Sequence, residues 1–155
     1  MPLPDSLLRS LGEAVGAEGL LTDPADVIPF GFDGTAALRQ RPAGVVFPRS
    51  TAQVVSCVRA AADHGVPIVT RGSGTGLSGG SVPSSDSLVV CLAQMNAILE
   101  VDARNLTIRA QAGVVTQKID EGPCSMACSI RLIQARCESA RSAATSRRTR
   151  AAFAA

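Results

Sequence analysis

The sequence has no apolar run long enough to cross a membrane and no basic leader ahead of an apolar core. A stretch such as LVVCL is far shorter than the roughly 18 residues that a spanning helix needs. The first residues, MPLPDSLLRSLGEAV, place Asp5 and Glu13 where a signal peptide avoids acidic side chains. We therefore expect no membrane span and a cytoplasmic location.

Histidine is nearly absent, and this limits metal and acid–base chemistry. Cys124, Cys128 and Cys137 have no histidine beside them and form no C-x-x-C pair, so a zinc site is not expected. The single histidine, His64, stands beside Gly65 near a predicted helix end. A contact with the helix dipole, or plain exposure, is favoured there over catalysis.

Aromatic residues are scarce, which bears on the end of the chain. Residues 121–155 carry six arginines against two glutamates, whereas residues 1–120 carry more acidic than basic side chains. A nucleic-acid-binding arm interleaves aromatic side chains with its cations, and this segment has Phe153 alone. We predict no nucleic-acid partner. The change in composition falls near Glu121 and separates a basic tail (121–155). We divide the rest into an N-terminal helix and connector (1–42) and a central segment (43–120).

The central segment predicts a βαβ unit. GVVFP and VPIVT are short β-branched runs typical of strands. Between them, Ser50 followed by Gln53 forms a capping box, and Gly65 ends the helix. The residues expected on its buried face are Val54, Val55, Val58, Ala61 and Ala62. LPDSLLRSLGEAVG has the spacing of another helix, and the connector after it holds Asp33, which is expected to anchor a turn.

Glycine is concentrated in TRGSGTGLSGGS, residues 70–81, directly after the second predicted strand. Open α/β sheets bind ligands at this edge. Gly74, Gly76 and Gly79 match G-x-G-x-x-G, and Asp102 follows at the spacing of the dinucleotide fingerprint. That fingerprint requires a helix immediately after the glycines, whereas a proline, serines and a strand follow here. A Walker loop is excluded because no lysine follows the glycines.

We define the glycine loop as residues 71–81, and it retains the chemistry of an anion site. Glycines let main-chain N–H groups converge without obstruction by a Cβ, and Ser73, Thr75 and Ser78 add hydroxyl donors. Arg71 supplies the nearby positive charge. A simple turn or a flexible linker is the alternative interpretation of such a loop.

Residues from about 20 to 120 resemble the amino-terminal flavin-binding segment of the FAD-linked oxidases of the vanillyl-alcohol oxidase type. Within that family they resemble the glycolate oxidase FAD subunit and D-lactate dehydrogenases. The matching pieces are FDGT, GVVFP, STAQVVSCVRAAADHGVPIV, RGSGTGLSGG, LAQMNAILEVD and AGV. The resemblance implies an α+β fold, a PCMH-type FAD-binding subdomain with a small mixed β-sheet flanked by helices. The central segment would then be a partial FAD-binding domain.

The resemblance also implies the site. In that family this loop wraps the diphosphate of FAD, and Pro48 would contact the adenosine end. The loop residues that would inherit the diphosphate are Arg71, Gly72, Ser73, Gly74, Thr75, Gly76, Leu77, Ser78 and Gly79. The implied reaction is hydride transfer from a 2-hydroxy acid, glycolate or D-lactate, to flavin N5. No catalytic residue is assigned in this chain, and partner subunits of a glycolate oxidase-like complex are a further expectation.

The resemblance stops after QAGVVTQKIDE. The family continues with motifs near GLFYPPDPGS and TIGGNVAENSGG and then a substrate-binding domain, and these motifs are missing from residues 121–155. Synonymous codons can be chosen for Met126–Ser146 so that, preceded by a C and read in the neighbouring frame, they encode HGLFYPPDPGSMRVSTIGGNV, so the tail is compatible with the missing motifs read out of frame. We therefore interpret the tail as frame-shifted.

Two functions follow. The first is the FAD-binding segment of a flavin-dependent 2-hydroxy acid dehydrogenase or oxidase, truncated and inactive as this chain, with weak or absent binding of FAD. The second is a non-catalytic chain, either a degenerate gene product or a small nucleotide-binding protein.

Overall fold

The computed structural model describes residues 3–35, 37–102, 104–105 and 107–120. These fall into two compact units. Among the described residues, the larger contains those from Leu3 to Ala97 together with Gln111–Gly113, and the smaller contains those within Ile98–Ala110 and from Val114 to Asp120. The tail, with its predicted frame-shifted origin, lies outside the described residues, and the predicted boundaries at 42 and 120 stay predictions.

A four-stranded mixed sheet forms the centre of the larger unit. Its strands are β1 (Leu20–Leu21), β2 (Gly44–Val46), β3 (Ile68–Arg71) and β4 (Leu88–Cys91), in the order β1-β2-β4-β3. β4 pairs in parallel with both β2 and β3, and β1 pairs antiparallel with β2. The predicted βαβ unit is confirmed, with β4 inserted between its two strands.

The central strand β4 is buried on both faces of the sheet. Leu88 and Val90 belong to one hydrophobic cluster, and Val89 and Cys91 belong to another. A parallel strand that is covered on both faces has a continuous apolar sequence. This explains why LVVCL has no polar residue.

Two helices cover the first of these faces. α1 (Asp5–Val15) buries Leu7 and Leu11 there, and α2 (Thr51–Asp63) buries Cys57 and Ala61. α1 ends at Gly16, which has a φ of 79°, as the glycine stop predicts.

The buried face of α2 differs from the predicted one. Val55 and Val58 are each 41% exposed, while Cys57 and Ala61 are fully buried. Cys57 lies three residues after Val54 and four before Ala61, so these three share one helical face and the two exposed valines lie beside it. The prediction was right for Val54 and Ala61 and wrong for Val55, Val58 and the exposed Ala62, because it omitted the small apolar Cys57.

The capping box of α2 is confirmed in a modified form. The Ser50 hydroxyl accepts a hydrogen bond from the N–H of Gln53 at 3.3 Å. The Gln53 side-chain oxygen accepts from the N–H of Arg49 at 2.7 Å, one residue earlier than the usual return bond to the cap residue. Gly65, with a φ of 64°, terminates the helix as predicted.

The smaller unit contains an antiparallel pair, β5 (Ile98–Asp102) and β6 (Thr107–Ala110), and a short helix α3 (Thr116–Asp120). Asp102 accepts hydrogen bonds from the N–H groups of Arg104 and Asn105 at 2.9 and 3.0 Å. Asp102 is therefore a turn anchor. In the part of the chain that is described, no helix is long and apolar enough to cross a membrane.

Replacing Gly12 with alanine is expected to stabilise the protein. Gly12 lies inside α1, and a Cβ at this position would meet no atom within 4 Å. Alanine is favoured over glycine in a helix interior by about 1 kcal/mol. Urea denaturation should show a higher midpoint for Gly12→Ala, and an unchanged or lower midpoint would contradict the assignment of this helix.

Candidate functional site

The glycine loop joins β3 to β4 without a helix. Arg71 is the last residue of β3, and residues 72–87 contain only bends, turns and irregular backbone before β4 begins at Leu88. The loop therefore leaves the carboxyl edge of the parallel strands, as predicted. The missing helix confirms that G-x-G-x-x-G is not a dinucleotide fingerprint here.

Two glycines of the loop have backbone conformations that other residues rarely adopt. Gly74 and Gly79 have φ values of 72° and 74°. A Cβ on Gly74 would overlap the guanidinium of Arg71, and one on Gly79 would lie 2.8 Å from Cδ1 of Leu38. Only glycine fits these two positions without a local rearrangement.

The N–H groups of the loop are not used by the backbone. Among the residues that the structure describes, no carbonyl accepts a hydrogen bond from the N–H groups of residues 73–81. Ser73, Thr75 and Ser78, the three predicted hydroxyl donors, are exposed. N–H groups that have no backbone acceptor, next to exposed hydroxyls, are the donor set of an anion site. Their convergence on one concavity stays a prediction.

A turn of the connector docks on the loop. The N–H of Gly34 donates to the carbonyl of Gly76 at 2.7 Å. Asp33 Oδ1 accepts a hydrogen bond from the N–H of Thr35 at 2.8 Å, which confirms Asp33 as a turn anchor. A Cβ on Gly34 would lie 2.9 Å from the same Gly76 oxygen. The close approach of the two segments therefore depends on glycine at position 34.

Arg71 is held inside this arrangement. Only 8% of its surface is exposed. Its guanidinium donates to the carbonyls of Phe32 and Ser73 at 3.1 and 3.4 Å and lies 5.3 Å from the ring centroid of Phe30. Arg71 thus holds the connector, through Phe30 and Phe32, against the glycine loop. Its contact with a diphosphate stays a prediction.

Asp33 and Arg71 are both buried charged residues. The N–H of Thr35 is the main cause that lowers the pKa of Asp33 below its ordinary value of 3.8; burial opposes it, and the N–H groups of Ser81 and Gly79 lower it further. Burial lowers the pKa of the Arg71 guanidinium, and the Asp33 carboxylate opposes that shift. At neutral pH the Asp33 carboxyl of the connector is therefore ionised, and the buried Arg71 at the start of the loop keeps its positive charge.

The lowered pKa of Asp33 predicts a pH dependence of stability. A carboxyl whose folded pKa is below its unfolded pKa stabilises the fold above the unfolded value, and this contribution is lost as the pH falls through the folded value. Urea midpoints of the wild type and Asp33→Asn should differ at pH 7, and the difference should shrink below about pH 4. An equal difference at both pH values would contradict an ionised Asp33.

The other predicted contacts have different environments. Leu77 is 62% exposed, and a Cβ on Gly72 would meet no atom within 4 Å. Pro48, predicted to contact the adenosine end, is fully buried, and this contact stays a prediction. Sequence reasoning missed Phe30 and Gly34 as neighbours of the loop. The FDGT motif, which contains Gly34, indicated that this part of the connector matters. Its contact with Gly76 cannot be predicted from the sequence.

His64 ends α2 as predicted. Its Nδ1 lies 2.8 Å from the carbonyl of Ala60, and its Nε2 lies 2.9 Å from the hydroxyl of Ser6 in α1. The described ranges contain no group of three or more His, Cys, Asp or Glu side chains placed to hold a metal ion. The three tail cysteines lie outside those ranges.

A cavity of about 710 Å³ lies beside α1. It is lined by residues that include Leu8, Val27 and Arg41, and no residue of the glycine loop lines it. The candidate site is therefore identified by its backbone donors and not by a large cavity.

Comparison with known proteins identifies this region. The FAD binding domain family matches residues 42–122. The glycolate oxidase subunit GlcD of Bacillus subtilis (strain 168) is 39% identical over 108 residues, which is 70% of this chain and 23% of that protein. The D-2-hydroxyglutarate dehydrogenase of Xanthomonas citri pv. viticola is 36% identical over 115 residues, which is 74% of this chain and 24% of that protein. The chain spans about a quarter of the length of these curated relatives.

Solved structures share the fold. The 4-ethylphenol oxidase from Gulosibacter chungangensis has a TM-score of 0.67 at 27% identity, covering 78% of this chain and 24% of that one. A p-cresol methylhydroxylase has a TM-score of 0.66 at 19% identity, covering 73% of this chain and 23% of that one. This likeness shows the fold alone. The predicted α+β, PCMH-type fold is confirmed. Because its family match covers more than half of its residues, the chain belongs to the FAD-binding domain family, is related to glycolate oxidase and D-2-hydroxyglutarate dehydrogenase, and has FAD as its cofactor.

Proposed function

We propose that the glycine loop holds the diphosphate of FAD in a flavin-dependent 2-hydroxy acid dehydrogenase or oxidase, with glycolate or D-lactate as substrate. The observation that carries the proposal is the run of N–H groups in residues 73–81 that donate to no backbone carbonyl in the described ranges. Glycines present these groups at the carboxyl edge of the sheet, where such folds bind ligands.

The donors of the loop suit a diphosphate. Main-chain N–H groups and the hydroxyls of Ser73, Thr75 and Ser78 are neutral, and the Arg71 guanidinium is buried against the carbonyls of Phe32 and Ser73. Many neutral donors directed at an anion bind it without an exposed cation. When FAD is bound, its flavin ring supplies the acceptor for hydride. The residues of this chain hold and orient the diphosphate end.

The substrate class and the assembly rest on the relatives. GlcD is by name a subunit of glycolate oxidase, and another relative, from Archaeoglobus fulgidus, is a D-lactate dehydrogenase. Partner subunits of a glycolate oxidase-like complex and a cytoplasmic location belong to the same proposal. The chain spans about a quarter of the relatives that match it, so the activity of a whole enzyme is a proposal for a longer protein.

We expect the 155-residue chain to purify without flavin colour. FAD binding needs the walls around the isoalloxazine as well as the diphosphate site, because the combined contacts must offset the entropy lost on association. Absorbance of the purified protein near the flavin bands measures this directly. A yellow 155-residue protein would contradict the requirement for those walls.

Restoring the reading frame tests the proposed activity. A single-base correction near codon 122, with the downstream gene included, is expected to give a yellow protein that oxidises glycolate or D-lactate. Its control is the same longer gene carrying Gly74→Ala, which should fold but lose flavin. A corrected protein that folds and stays colourless with added FAD would overturn the flavin assignment. DNA with no long open continuation in either other frame would overturn the frame-shift hypothesis.

A further inference from the structure

We propose that Gly34 of the connector is a positioning residue for the diphosphate-binding loop. It holds the carbonyl groups of Thr75 and Gly76 on the connector side of the loop. The N–H groups that follow them in the chain, those of Gly76 and Leu77, are thereby turned toward the anion. The inference rests on the proposed diphosphate-binding function and names the donors that this function uses.

The first observation is that two consecutive loop carbonyls are directed at Gly34. The Gly76 oxygen accepts a hydrogen bond from the N–H of Gly34 at 2.7 Å. A Cβ built on Gly34 would lie 2.9 Å from this oxygen and 3.3 Å from the oxygen of Thr75. Oxygen atoms at these distances leave no room for a side chain, so both carbonyls can approach the connector only because position 34 is glycine.

The direction of these carbonyls fixes the direction of two N–H groups. The peptide bonds of the described residues are all trans, and in a trans peptide the C=O of one residue and the N–H of the next point in opposite directions. The N–H of Gly76 shares a peptide unit with the Thr75 carbonyl, and the N–H of Leu77 shares one with the Gly76 carbonyl. Both N–H groups therefore point away from Gly34 and the connector.

The same geometry is found at the start of the loop. The Gly72 carbonyl accepts a hydrogen bond from the thiol of Cys91 at 3.7 Å, and Cys91 is buried in β4. The Ser73 carbonyl accepts one from the buried guanidinium of Arg71 at 3.4 Å. The N–H groups of Ser73 and Gly74 therefore point away from these buried side chains.

Four N–H groups of the loop are thus directed away from the groups that hold the neighbouring carbonyls, those of Ser73, Gly74, Gly76 and Leu77. Within the described ranges, no backbone carbonyl accepts a hydrogen bond from any of them. Main-chain N–H groups arranged in this way are the donors of an anion-binding nest. The buried thiol and guanidinium orient the first two donors, and Gly34 orients the last two.

The substitution Gly34→Ala tests this assignment. Its methyl group would displace the two carbonyls that face position 34 and would leave the start of the loop in place. The matched control is Gly31→Ala in the same connector, where a Cβ would lie 2.8 Å from the carbonyl oxygen of Gln40, outside the glycine loop. Neither glycine has a positive φ, so both changes act through crowding.

The test is a titration with inorganic pyrophosphate, followed in the amide ¹H–¹⁵N spectrum of the 155-residue protein. In the wild type we expect saturable downfield movement of four signals, those of Ser73, Gly74, Gly76 and Leu77. One N–H donor to a charged acceptor accounts for roughly a tenfold change in affinity, so Gly34→Ala should weaken binding by at least about tenfold. It should reduce the movement of the last two signals selectively, and Gly31→Ala should bind like the wild type.

The outcomes separate the two proposals. If pyrophosphate moves no loop signal in the wild type, the diphosphate function fails, and Gly34 then positions no binding donor. If the wild type binds, the diphosphate function stands. Equal affinity in Gly34→Ala, an equal loss of all four signals, or the same loss in Gly31→Ala would then overturn the positioning role alone.

If Gly34→Ala does not fold, the wild type decides. A scalar coupling across the hydrogen bond is expected between the Gly34 nitrogen and the Gly76 carbonyl carbon. Pyrophosphate should also move the amide signals of Gly76 and Leu77. The absence of the coupling, or binding that moves other loop signals and not these two, would overturn the positioning role.

Discussion

Replacing Gly74 with alanine is expected to abolish ADP binding and to destabilise the protein by roughly 2–3 kcal/mol. Gly74 has a φ of 72°, and the new Cβ would overlap the guanidinium of Arg71. That guanidinium cannot move without leaving the Phe32 carbonyl and the Phe30 ring. The loop would therefore deform, and its N–H groups would lose their arrangement. Urea denaturation and ADP titration of the same samples measure both effects.

Gly65→Ala is the matched control for the backbone conformation. Gly65 has a φ of 64°, but a Cβ there would meet no atom within 4 Å. Gly65→Ala should therefore lower the free energy of unfolding by only about 1 kcal/mol, the cost of placing alanine in the left-handed conformation. It should leave ADP binding unchanged. If Gly74→Ala behaves like Gly65→Ala in both measurements, the crowded geometry of the loop is wrong.

Replacing Arg71 with alanine is expected to lower the free energy of unfolding by roughly 3 kcal/mol. The change removes the donors that bind the Phe32 and Ser73 carbonyls and a buried side chain that packs on the Phe30 ring. Carbonyls that lose their donors inside the protein, together with the lost packing, are destabilising. The loss should appear as a lower urea midpoint at neutral pH.

Arg109→Ala is the control for the removal of an arginine. Arg109 forms an exposed ion pair with Glu100 at 3.3 Å, and exposed pairs contribute about 0.5 kcal/mol. Its urea midpoint should therefore stay close to that of the wild type. If Arg71→Ala lowers the urea midpoint as little as Arg109→Ala does, Arg71 does not hold the loop in place.

The parts of the fold that are local in sequence could be predicted. The β-branched run at Val45 and the cap at Ser50 depend on neighbouring residues, and both lie in the expected elements. The insertion of β4 between β2 and β3 could not be predicted, because strand order depends on packing between distant segments. Val55 was wrongly placed in the core because Cys57, which the prediction omitted, lies on the buried face of α2 and Val55 lies beside that face.

In the candidate site, too, local features could be predicted and contacts between distant segments could not. The glycine loop was predicted from its composition, its position after a strand and its family resemblance. The docking of Gly34 on Gly76 joins residues that are far apart in the sequence, and no local pattern reports such a contact. Arg71 was predicted to face the ligand, whereas its burial is set by Phe30 and Phe32 of the connector. The sequence shows that position 71 carries a positive charge, but it does not show which groups the side chain contacts.

The most direct test of the central claim is an ADP titration of the ¹⁵N-labelled 155-residue protein, followed residue by residue. We predict saturable movement of the amide signals of residues 73–78 at millimolar ADP and smaller movement with AMP, which has one phosphate fewer. The signals of Gly65 and Ala25, in turns outside the loop, should stay fixed. Loop signals that do not move, or movement spread evenly over the protein, would contradict a diphosphate site in the glycine loop.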